Sequence, residues 1–156
     1  MKEIVIIGAG KIGGAMARML AASGDYAVTV ADRSLDRLSA DLGKSVATAA
    51  VDVADRTGLR DLLMGKFAVL SAAPFHLTAG IAEAAADVGS HYLDLTEDVA
   101  TTRRVEGLAD GASTAFIPQC GLAPGFISIV AHDLASRFDA LDSVRMRVGA
   151  LPQYPS

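Results

Sequence analysis

A doubly wound parallel α/β sheet is the fold class predicted for this 156-residue chain, and three features predict it. The chain opens on an apolar run, Lys2-Glu3-Ile4-Val5-Ile6-Ile7, that passes directly into Gly8-Ala9-Gly10-Lys11-Ile12-Gly13. Strand-like and helix-like segments then alternate along the chain, the pattern of a parallel sheet covered on both faces. Finally, a second apolar run over 26–31 ends in an acidic residue, Asp32.

Each element follows from its residues. The β-branched run before Gly8 reads as a buried strand, and G-x-G-x-x-G closes it. Gly8 suits the tight turn, Gly10 lets the backbone approach a pyrophosphate, and Gly13 allows close packing of the following helix. That helix, Ile12 to Ala22, presents its N-terminus, with Lys11 and Ile12 in the first turn, to a phosphate. Ser34 is placed to cap a helix over 35–42 that Gly43 ends. A third strand spans 45–51, and Asp55 opens a helix running to Met64. A fourth strand covers 67–72, Pro74 breaks it, and a helix runs to Val88 before Gly89. A fifth strand (91–95), a helix (99–110) and a sixth strand (114–118) complete the alternation.

The last 36 residues differ. Cys120-Gly121-Leu122-Ala123-Pro124-Gly125 reads as a tight loop, followed by a helix to about Phe138. Over 143–151, Val144, Met146 and Val148 alternate with Arg145 and Arg147, which predicts a half-buried strand of an antiparallel sheet. A lone strand is not a domain. The expected organisation is therefore a dinucleotide-binding domain over 1–122, then the connecting helix and first strand of a second α+β domain over 123–156 that is otherwise cut off.

Composition narrows the function. With 51% hydrophobic residues, 21% charged and a net charge of −4, the chain has an ample core and no basic surface for nucleic acid. A single cysteine, Cys120, excludes an internal disulfide and fits a reducing compartment. No apolar run reaches the ~18 residues of a membrane span, so the expected location is the cytoplasm with no membrane contact. No His, Cys or acidic spacing suggests a metal site.

Asp32 is placed to accept hydrogen bonds from the adenosine ribose, which favours NAD because a carboxylate repels a 2′-phosphate. Arg33 beside it keeps NADP open, since a guanidinium can hold that phosphate. Asp52 after the third strand either approaches the adenine or caps the next helix, and Val53 can pack on the adenine ring. His76, just past the fourth strand and near the expected nicotinamide, is either a catalytic or substrate-binding group or a first-turn helix residue. Asp94 lies inside an apolar strand and must be paired or protonated; a structural partner from a neighbouring loop and a catalytic role are both open. Cys120 reads as a small apolar residue at a strand end. Arg145 and Arg147 either anchor a substrate carboxylate or solvate their strand.

Four segments together resemble the saccharopine dehydrogenase-like family, in the branch containing saccharopine reductases and lysine 6-dehydrogenase. They are the Gly8–Gly13 turn, Ala73-Pro74-Phe75-His76, Tyr92-Leu93-Asp94-Leu95 and Gly121-Leu122-Ala123-Pro124-Gly125. The last is similar to a Gly-Leu-x-Pro-Gly loop whose middle residue in saccharopine reductases is commonly Asp; here it is Ala123. The resemblance adds Ala73 and Pro74 to the expected cofactor-binding positions. It implies a nicotinamide-dependent oxidoreductase acting on the C–N bond of an amino-acid substrate, with this chain as the cofactor-binding portion and inactive alone. Pairing of the 143–151 strand between two copies would give a homodimer. The reading from a different class is a stand-alone nucleotide-sensing Rossmann module, of the kind that regulates potassium transport.

Overall fold

The computed structural model describes residues 1–34 and 42–149. The chain runs β1 (Lys2–Ile7), α1 (Lys11–Ser23), β2 (Tyr26–Asp32), β3 (Val46–Ala50), α2 (Arg56–Leu63), β4 (Ala68–Ser71), α3 (Phe75–Val88), β5 (His91–Asp94), α4 (Val99–Ala109), β6 (Phe116–Ile117) and α5 (Phe126–Ala135). The six strands form one sheet in the order β3-β2-β1-β4-β5-β6. Every pairing is parallel.

The two faces are built by the period-2 alternation of strand side chains. On β1, Val5 and Ile7 point into a cluster with Leu59, Leu63, Ile81 and Val105 from α2, α3 and α4. Ile4 and Ile6 point the other way, into a cluster with Val28, Val30 and Ala17 of α1. With both faces covered, β1 has to be apolar throughout from Ile4 to Ile7. Complete burial of side chains such as Ile6 and Ile81 contributes about 1.5–3 kcal/mol each. The strand order reverses direction between β1 and β4, and the crevice beyond their carboxyl ends is where such sheets hold ligands.

Three expectations need comment. The helix expected over 35–42 falls, except for Leu42, outside the described residues. The strand expected over 143–151 is not formed through 143–149, and the rest lies outside the described residues. The physical reason is local: no second strand lies beside this segment among the described residues, so its N–H and C=O groups have no ladder to join. Val144, Met146, Arg145 and Arg147 all line one hollow against α5 instead of dividing between two faces. The connecting helix does form, but as α5 over Phe126–Ala135, and none of its residues is buried.

Candidate dinucleotide-binding site

The glycine turn has its shape for steric reasons. Gly8 sits at φ +106, and a Cβ there would lie 2.8 Å from the Ala72 carbonyl oxygen. A Cβ on Gly13 would collide with the Gly8 carbonyl oxygen. Gly10 differs: its Cβ would meet no protein atom within 4 Å. Gly10 is also the N-cap of α1 with no side-chain cap bond. The first-turn N–H groups of the helix, and the positive end of its dipole, are thus available to an anion.

Two cavities flank the end of β4. The first, about 560 Å³, is lined by Gly8 and Gly10, by Asp32 and Arg33 after β2, and by Asp52 and Val53 after β3. Ala73, Pro74 and His76 close its other side. The second, about 510 Å³, is lined by Ile12, Phe75 and residues 95–98. Ala72 and Ala73 line both cavities. Together they make one groove across the carboxyl edge of the sheet, running from β3 past the switch point to β5.

In the first cavity, Asp32 Oδ2 accepts the Ala9 N–H at 2.9 Å and Oδ1 accepts the Ser34 N–H at 3.4 Å. The exposed Arg33 lies beside it. Asp52 does not cap α2. Its Oδ1 accepts the Ala54 N–H at 2.9 Å, while the cap is Asp55, which takes the Thr57 and Gly58 N–H groups. Val53 is half-buried, packs on the core and also lines the cavity. Lys11 begins α1 with its side chain exposed and is not among the linings of either cavity; Gly13 acts only by its missing side chain.

His76 and Asp94 stand in different surroundings. His76 is exposed in the first turn of α3 and lines the Asp32 cavity, not the one lined by Ile12. Its ring meets Phe75 edge-on at 5.7 Å between centroids, and Phe75 is the side chain that reaches the second cavity. Asp94 is 1% exposed and its oxygens are occupied by protein donors. Oδ2 accepts the Tyr92 hydroxyl at 3.0 Å; Oδ1 accepts the N–H groups of Thr96 at 2.9 Å and Gln119 at 3.1 Å. The Tyr92 phenol is raised far above its usual range, first by burial and then by the Asp94 charge. Cys120 is exposed, not a buried apolar residue. Its thiol donates weakly to the Ile117 carbonyl at 3.2 Å and is pushed up by partial desolvation against the neighbouring loop and, to a lesser degree, by Asp94.

Sequence reasoning missed the wall of the second cavity: Phe75 and residues 95–98. The signal was their position just past β4 and β5, at the edge where open parallel sheets bind ligands. Among the described residues, no group of three or more His, Cys or acidic side chains could hold a metal, and no helix is long and apolar enough to cross a membrane.

The family model for the saccharopine dehydrogenase NADP binding domain matches residues 4–115. Among solved structures, the chain is similar to the saccharopine dehydrogenase (L-Glu forming) of Saccharomyces cerevisiae, with 24% identity and a TM-score of 0.76 over 87% of this chain. The chain spans 31% of that enzyme's length. It is also similar to a Rossmann-fold NAD(P)-binding family protein of Shigella flexneri (17% identity, TM-score 0.59, 73% of this chain and 64% of that one). A third is a short-chain dehydrogenase/reductase of Veillonella parvula in complex with NADP (20% identity, TM-score 0.52, 60% of this chain and 46% of that one). At these identities the structural likenesses establish the fold. The family match over most of the chain establishes more: this is an NAD(P)-binding Rossmann domain, and the chain belongs to the saccharopine dehydrogenase NADP binding domain family.

Proposed function

We propose that this chain is the cofactor-holding part of an oxidoreductase that acts on the C–N bond of an amino acid of the saccharopine or lysine type. The observation that carries the reading is the groove itself, two cavities joined at Ala72 and Ala73 with the unobstructed Gly10 on its floor. A pyrophosphate fits against Gly10 and the start of α1, and an adenosine ribose against Asp32. The nicotinamide then belongs in the cavity bounded by Ile12, Phe75 and residues 95–98. A bound nicotinamide would supply hydride transfer, and the chain's own residues would supply its position. The family match favours this enzyme reading over a nucleotide-sensing module. With only 31% of the yeast enzyme's length spanned, we expect the chain alone to bind cofactor without turning over lysine or saccharopine.

The cofactor choice lies with two adjacent residues. The family's description names NADP, whereas Asp32 by itself points to NAD. Arg33 lines the same cavity and supplies the cation that a 2′-phosphate needs. The groove therefore takes both dinucleotides, Asp32 serving the 2′-hydroxyl and Arg33 the 2′-phosphate. Calorimetric titration with NADH and NADPH tests this: the two dissociation constants should lie within about tenfold, a difference of ~1.4 kcal/mol. Arg33→Ala should weaken NADPH alone, and Asp32→Asn should weaken NADH. No binding of either dinucleotide overturns the function; a preference beyond about a hundredfold overturns the dual choice.

A further inference from the structure

We propose that Asp94 is a positioning residue for the nicotinamide half of the groove, because its buried carboxylate ties the loop that lines that end, residues 95–98, to the loop packed against it. The inference rests on the dinucleotide reading above and assigns a task to a side chain that lines neither cavity of the groove.

The wall of the second cavity is the connection from β5 to α4, residues 95–98, and it is bonded at every second residue. Asp94 Oδ1 accepts the Thr96 N–H at 2.9 Å, Thr96 Oγ1 accepts the Asp98 N–H at 3.2 Å, and Asp98 Oδ2 accepts the Thr101 N–H at 2.7 Å. The chain of acceptors starts from a carboxylate that has no freedom to move. Asp94 is buried at the end of β5, with Oδ2 held by the Tyr92 hydroxyl at 3.0 Å. That hydroxyl also reaches the Thr78 carbonyl of α3 at 3.3 Å.

The same Oδ1 holds a second loop. It accepts the Gln119 N–H at 3.1 Å, and the Asp94 carbonyl accepts the Cys120 N–H at 2.7 Å. Gln119 has φ +63, a conformation non-glycine residues rarely adopt, so its N–H is aimed by strain that this bond helps to sustain. The Gly121–Gly125 loop follows directly and packs on the wall: a Cβ on Gly121 would lie 3.2 Å from the Leu95 carbonyl oxygen. Removing the carboxylate leaves the partly buried Thr96 and Gln119 N–H groups without their acceptor and the Tyr92 hydroxyl with only the Thr78 carbonyl, so both loops lose their reference point together. The Asp32 side of the groove is held by other bonds, from Ala9 and Ser34, and none of them involves Asp94.

An amide can replace the acid here. Asn at 94 would accept both N–H groups through its oxygen. Its NH₂ would donate to the Tyr92 oxygen, whose own proton turns to the Thr78 carbonyl. Asp94→Asn should therefore preserve the wall and Asp94→Ala should not.

The test separates the two halves of the ligand on the 156-residue chain. ADP-ribose affinity by calorimetry reads the adenosine half. The emission enhancement of bound NADH reads the burial of the reduced nicotinamide. In Asp94→Ala the ADP-ribose affinity should stay within about threefold of wild type while the nicotinamide enhancement falls by about half or more; in Asp94→Asn both should be kept. Thr96→Val, which removes only the hydroxyl that receives the Asp98 N–H, should give a smaller loss of the same kind and serves if the alanine variant does not fold. ADP-ribose affinity and emission falling together in these variants would make the role merely structural and overturn the proposal, as would emission left unchanged. A wild-type chain that binds neither probe would instead overturn the dinucleotide reading.

Discussion

The Ala9 N–H donates to Asp32 Oδ2 at 2.9 Å, so the carboxylate assigned to the ribose is fastened to the glycine turn assigned to the pyrophosphate. The bond spans β1 and β2, which are already in parallel register from Lys2–Tyr26 to Ile7–Ala31. It fixes the adenosine and phosphate subsites relative to one another before any ligand arrives. This is preorganisation, and it lowers the ordering cost of binding an extended molecule.

Gly10 and Gly13 give opposite outcomes when changed to alanine. A Cβ on Gly10 meets no protein atom within 4 Å, and its φ of −70 suits any residue. Gly10→Ala should leave the thermal midpoint unchanged but weaken dinucleotide binding at least about tenfold, by occupying the space of the pyrophosphate. A Cβ on Gly13 strikes the Gly8 carbonyl. Gly13→Ala should lower the midpoint by roughly 5–10 °C, the scale of an overpacked contact in a domain of this size. Differential scanning calorimetry beside ligand titration checks both. Equal affinity for wild type and Gly10→Ala would place the ligand elsewhere.

Much of this was legible in the residues. The β1 run and the glycine turn state their geometry locally, because burial on both faces and a missing Cβ leave few alternatives. The cavity lined by Asp32, Asp52 and Pro74 was readable for the same reason, since all three sit at or just past strand ends. The second cavity was not, because Phe75 and residues 95–98 become neighbours only through the β4–β5 pairing, from Ala68–His91 to Ser71–Asp94. Residues 143–149 show the converse: alternation gives a segment the capacity to pair, and a ladder needs a second strand, which none of the described residues supplies here.

Acid should loosen the start of α4. The Asp98 carboxylate is held below its usual 3.8, chiefly by the Thr101 backbone N–H. A depressed folded value means that the stabilisation is present above the unfolded pKa and is lost as pH falls through the folded one. Urea midpoints for wild type and Asp98→Ala should therefore differ at pH 7 and converge below about pH 3. A gap of the same size at both pH values would remove the carboxylate from the cap.

Cys120 should be a slow thiol. Partial desolvation and the nearby Asp94 charge both raise its pKa, which lowers the thiolate fraction at neutral pH. Iodoacetamide should alkylate it more slowly than free cysteine at pH 8. Asp94→Asn should speed the reaction by less than about tenfold, because desolvation, the larger cause, remains. A rate unchanged by Asp94→Asn would show that the carboxylate does not act on the thiol.

Self-association should run through α5 and the segment after it. Phe126, Ile129, Leu134 and Phe138 are 60%, 70%, 49% and 64% exposed, and Val144 and Met146 are each 54% exposed. An apolar surface of this extent on one arm marks an interface or a route to aggregation. Covering five or six such side chains supplies on the order of 10 kcal/mol, of which lost translational and rotational freedom removes about 4 kcal/mol or more. The remainder, about 6 kcal/mol or less, corresponds to a dimer with a dissociation constant of about tens of micromolar or weaker. The contact is therefore expected to be side chain on side chain, and Arg145 and Arg147 can stay in water at its rim. Light scattering over a dilution series should show dimers at high concentration that dissociate on dilution. Phe126→Glu with Ile129→Glu, three residues apart and both exposed, should give monomers throughout with the thermal midpoint unchanged. A wild-type chain that stays monomeric at several hundred micromolar would leave the arm without a partner of its own kind.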